Sequence, residues 1–143
     1  MLHYEHRRIP ILTCGLAHEH QLFQCEHEMR DVTEAIGIGL AIQQVTKFRK
    51  PISPLAPETA YNLVHVYSGT SLALETVPTL VCAAMWLKRI VPYADWTLPA
   101  NELKRRNDHL PYLIHSALIE VVEAYNKLRL QCGERTGALW YTA

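Results

Sequence analysis

A chain of 143 residues, 49% hydrophobic and 20% charged, is long enough for one domain with its own core and too apolar to be disordered over most of its length. Its 14 Lys plus Arg balance 14 Asp plus Glu, so no whole-molecule field draws in nucleic acid, and weak colloidal repulsion suits a protein held in a complex. The most apolar stretch, residues 77–91, is interrupted by Lys88 and Arg89 and is shorter than the roughly 20 residues a membrane helix needs.

In chain order, residues 1–14 suggest at most a short extended segment, because Pro10 confines Arg8 to Cys14 to a sheet edge. From Leu16 to Lys50, Leu22, Met29, Val32, Ile36 and Leu40 step at helical spacing. Gly37 and Gly39 interrupt that pattern, as a close helix–helix approach or as a bend. Pro51, Pro54 and Pro57 form a linker at 51–57, a candidate subdivision within a single helical domain covering 1–143. Glu58 to Tyr67 reads as a helix and Ser68 to Ser71 as a turn. The stretch from Val77 to Ile90 reads as a helix apolar nearly all round, capped by Thr76, with a central place in the fold. Tyr93 to Pro99 is a loop, and Ala100 to Asn107 a short polar helix. Leu110 to Cys132 is the longest amphipathic run, with Pro111 in its first turn and Gly133 past its end. The expected fold class is therefore mainly α, a single-domain bundle of about five helices with short extended or irregular termini.

Candidate chemistry concentrates between Cys14 and Asp31. On a helix, His20, His27 and Asp31 share one face, and imidazole with carboxylate suits zinc, iron or manganese. These three are the candidate metal ligands. The competing reading is a solvated polar face rich in histidine, because no Cys-x-x-Cys, His-Glu-x-x-His or Glu-x-x-His spacing is present. Two carboxylate pairs, Glu28 with Asp31 and Glu120 with Glu123, have the i, i+3 spacing that holds magnesium against phosphates. The segment from Leu113 to Tyr125 around the second pair resembles the first metal-binding helix of the all-α nucleoside triphosphate pyrophosphatases of the MazG-like family. The resemblance covers about a tenth of the chain, and it implies a magnesium-dependent pyrophosphatase in which Glu28 and Asp31 would complete the site. Lys104-Arg105-Arg106 and Lys88-Arg89 are short basic clusters with no nucleic-acid-binding motif around them.

No nucleophile elbow, phosphate loop or dinucleotide fingerprint occurs. Tyr93, Trp96, Trp140 and Tyr141 are the candidate interface anchors, aromatic residues in a loop and a terminal tail. The sequence thus leads to a small protein-binding or assembly subunit, self-associating or joined to other proteins, leaning away from an enzyme and without a required cofactor. A metal-dependent hydrolase or pyrophosphatase-like enzyme is the alternative, and a small nucleic-acid-binding subunit the third. Four dispersed cysteines and the mixed, polar run Met1 to Arg8, unlike a secretory leader, point to the cytoplasm and to reduced thiols.

Overall fold

The computed structural model describes residues 1–15, 24–47 and 58–131. Within them the first half of the chain is sheet. Strands β1 (Tyr4–Gly15), β2 (Gln24–Ala35), β3 (Leu40–Lys47), β4 (Glu58–His65) and β5 (Thr70–Ser71) pair antiparallel in sequence order. Three helices follow: α1 (Leu80–Ile90), α2 (Ala100–Arg106) and α3 (Leu110–Gln131). The expectation of a mainly α, five-helix bundle, and with it an all-α protein, is overturned in favour of a mixed fold, a five-stranded sheet covered by helices.

The physical reason lies in long-range pairing. The residues that step at helical spacing across 29–40 go to different places: Met29 is exposed, Val32 enters a small core, Ile36 lies in a turn and Leu40 enters the large core. Gly37 and Gly39, at φ 79° and 96°, serve the tight β2–β3 turn, a backbone conformation that costs L residues with a side chain. In β4, Tyr61, Leu63 and His65 share one face while Val64 faces the other, the period-2 alternation of a strand. The proline-rich stretch 51–57 lies outside the described residues, but β3 and β4 on either side of it pair along eight register positions.

β1 and β2 pair over twelve positions, whereas β2 and β3 share only three, Thr33 to Ala35 against Leu40 to Ile42. The long hairpin therefore leaves the sheet early and rolls over its far face. There Ile9, Ile11 and Val32 bury against Ala41 and Val64. The Leu12 amide donates to the Gly69 carbonyl at 2.8 Å, closing the roll against the β4–β5 turn. Pro10 occupies this edge strand, where a missing donor breaks no ladder bond.

The other face carries the large core. Leu40, Ile42 and Leu63 of the sheet meet Trp86 and Leu87 of α1 and Leu118 and Val121 of α3, among others. α1 starts three residues later than the sequence suggests: Thr79, not Thr76, accepts from the Cys82 amide as N-cap. Nor is α1 the all-round buried central helix expected of it, since Leu80, Val81 and Met85 remain exposed. Burial pushes the Cys82 thiol above its ordinary pKa, keeping it a neutral core side chain. Cys25, opposite Cys14 in the β1–β2 ladder, is disulfide-bonded, against the expectation of reduced thiols throughout. No described helix is long and apolar enough to cross a membrane.

Candidate functional site

Among the described residues, the β4–β5 turn and the outer side of α3 each combine shape with chemistry. At the end of β4, where the turn begins, His65 is 1% exposed and both its ring nitrogens are engaged. Nε2 lies 2.9 Å from the Trp96 carbonyl and Nδ1 lies 2.7 Å from Ser68 Oγ. A carbonyl only accepts, so Nε2 carries the proton and Nδ1 accepts from the Ser68 hydroxyl. Ser68 Oγ in turn accepts from the Thr70 hydroxyl at 2.6 Å.

Hydroxyl on imidazole is the contact of an activated nucleophile, but here a neutral carbonyl stands where a carboxylate would stabilise the imidazolium. The adjoining 150 Å³ cavity is walled by His65, Trp96, Leu103 and Leu110, and Ser68 is not among its walls. The chain of hydrogen bonds fastens the turn to the loop before α2. That loop is itself braced. The Trp96 indole donates to the Ile90 and Val91 carbonyls. The Thr97 hydroxyl and amide hold the Asp95 carboxyl below the usual carboxylate range.

His65→Ala would strand the Trp96 carbonyl and open a cavity, and is expected to cost about 2–4 kcal/mol in urea unfolding. A Ser68→Ala variant, which leaves the buried bond to Trp96 in place, should cost about 1 kcal/mol. Equal losses from the two would contradict the fastening role given to the buried bond.

Of the candidate metal ligands, His27 and Asp31 fall on β2 rather than on a helix. His20 lies outside the described residues. His27 Nε2 donates to the Ser68 carbonyl at 3.3 Å, as another tie to the turn. Asp31 lies 3.6 Å from His6 and 3.7 Å from Arg8. Four residues of extended strand separate His27 from Asp31 by roughly 13 Å, where a helix would have stacked them. Among the described residues, no three His, Cys, Asp or Glu side chains converge.

Of the carboxylate pairs, Glu120 and Glu123 stay one turn apart on α3, whereas the first pair separates. Glu28 and Asp31, an odd number apart in β2, face opposite sides of the sheet, and Glu28 pairs with Arg30. Glu120 pairs with Arg89 of α1. Arg105 and Arg106 of the basic cluster both lie on Glu102, at 2.7 and 3.5 Å.

Of the aromatic anchors, Trp96 is 2% exposed and belongs to the large core, and Tyr93 packs half-buried against that core. Trp140 and Tyr141 lie outside the described residues.

The sequence reading missed the outer side of α3. The inner stripe, Leu110, Ile114, Ala117, Leu118, Val121 and Val122, is buried. Almost opposite it, Tyr112 is 71% exposed, Ile119 45% and Leu130 58%. At about 100° per residue all three fall within roughly 20° of one line along the helix. Beside that line runs a groove of about 430 Å³ whose walls include Leu118, Ile119, Val122, Glu75, His115 and Glu123. His115 Nδ1 sits 3.4 Å from Glu75 Oε1, on the segment joining β5 to α1. Leu74, next to it, projects fully exposed. The signal was present in the sequence: α3 carries apolar residues on two faces, and a helix with two apolar faces needs two partners.

Compared with models of known families, with curated proteins and with solved structures, the chain finds no match.

Proposed function

We propose that this chain is a protein-binding module of an assembly, and that it docks a second polypeptide on the outer side of α3. The observation that carries this reading is the line Tyr112, Ile119 and Leu130 beside the groove at Glu75 and His115. Scattered exposed apolar residues need no explanation, whereas apolar residues in line beside a groove fit helix-in-groove recognition. The mixed rim, with Glu75 and Glu123 against His115, gives such a site orientation as well as affinity. A neutral chain supports the same reading.

A photo-activatable cross-linking residue at position 119, introduced into the full chain in cells, tests it, with the same residue at Arg30 on the exposed hairpin as control. Illumination is expected to attach a polypeptide at 119 and none at 30. If position 119 attaches none, or no more than position 30, the docking role fails.

A further inference from the structure

Resting on that reading, we infer that the polypeptide on α3 is a second copy of this chain, its α3 running antiparallel and crossing at Ile119. A two-fold interface must be self-complementary: each patch meets its own image. The outer face of α3 has this property at the pair that flanks Ile119 one turn to either side. His115 lies four residues before it and Glu123 four residues after. Turning a copy end over end about Ile119 therefore brings His115 level with the partner's Glu123, and Glu123 level with the partner's His115. Tyr112 and Asn126 stand seven residues either side and exchange in the same way.

Like charges are kept apart by the same operation. Glu123 and the partner's Glu123 are separated by eight residues of helical rise, roughly 12 Å. Ile119 alone meets its own image, and an isoleucine is well suited to that place on the axis. A parallel pair would instead set Glu123 beside the partner's Glu123 and His115 beside the partner's His115. The face lies almost opposite the buried stripe of α3, with Leu74 and Glu75 of the β5–α1 segment beside the crossing.

His115 already lies 3.4 Å from Glu75, between that carboxylate and the place the partner's Glu123 would take. The face thus sets an imidazole and a carboxylate eight residues apart, and its own image sets a carboxylate against the one and an imidazole against the other.

Sedimentation equilibrium of the full chain, followed by cysteine trapping, tests the inference. A dimer is expected, and Ile119→Arg should raise its Kd at least about tenfold without loss of helical signal. Under mild oxidation Ile119→Cys should link through position 119 to its own copy, identified by peptide mass. His115→Cys and Glu123→Cys should each fail alone and link 115 to 123 when mixed. A chain that stays monomeric at about 100 µM would overturn the inference, as would a dimer that links 115 to 115. If the chain is monomeric while the photo-cross-linker at 119 attaches a different protein, the docking role survives and only the self-pairing falls.

Discussion

Gly39→Ala is expected to remove about 3–5 kcal/mol of stability, roughly a fifth or more of what a domain this size commonly has. Two independent costs meet at this position. The backbone stands at φ 96°, where any side chain is strained by about 1–2 kcal/mol. A Cβ there would also lie 2.4 Å from the Trp96 carbonyl oxygen and 2.7 Å from its carbon. Those are backbone atoms, so relief requires the loop to move, and the same carbonyl accepts the buried hydrogen bond from His65. The strain thus spreads from the β2–β3 turn to the β4–β5 turn. Gly37→Ala separates the two costs. Gly37 has φ 79° but open space around its missing side chain, so its loss should be about 1–2 kcal/mol, the backbone cost alone. Urea midpoints for the two variants provide the comparison, and equal midpoints would refute the part assigned to the Trp96 contact.

Trp86→Ala is expected to cost a comparable 3–5 kcal/mol, by loss of packing. Trp86 is fully buried where α1 meets α3, and its indole N–H donates to the Ile114 carbonyl at 3.0 Å. The hydrogen bond contributes only about 1 kcal/mol, so the greater part is apolar area and the cavity left behind. Trp86→Phe keeps most of the volume and should lose about 1–2 kcal/mol. For a chain of this length the alanine variant should melt on the order of 10 °C lower. A Phe variant as unstable as the Ala variant would mean that the N–H contact, rather than packing, holds the two helices together.

How much of this was legible in the sequence differs sharply between the two halves. α2 and α3 fall where periodicity and punctuation place them, and α1 is only a few residues short of the expected run. Helical order is written locally, in neighbours three and four apart. The strands are fixed elsewhere. β2 is mostly polar and has little alternation of its own, and it becomes a strand because β1 pairs with it over twelve positions. Two local signals did exist: the Gly37–Gly39 pair, and the alternation of Tyr61, Leu63, His65 and Tyr67. Both look helical if the apolar residues are counted without regard to φ or to parity.

The same error displaced the candidate sites. His27 and Asp31 are neighbours on a helix and strangers on a strand. Trp96 looked like a surface anchor because it is an aromatic in a proline-bounded loop, yet its walls come from α1 and the sheet. The outer side of α3 could be read from the helix itself, but only once it was clear that the inner stripe was already satisfied.

The narrow seam between β2 and β3 bears on how the chain reaches this fold. Each neighbouring pair of strands is also adjacent in sequence, so loop-closure entropy is small at every step and each hairpin can zip independently. The contact from Leu12 to Gly69 is different. It joins residues 57 positions apart in the chain, and the small core of Ile9, Ile11, Val32, Ala41 and Val64 forms only when that distance closes. The long hairpin then behaves as a flap folded last and released first, and its amides should exchange with solvent before those of β3 and β4. Sub-global opening would begin at three register pairs, leaving the helix-covered half of the sheet, and the face of α3 that carries Ile119, still folded.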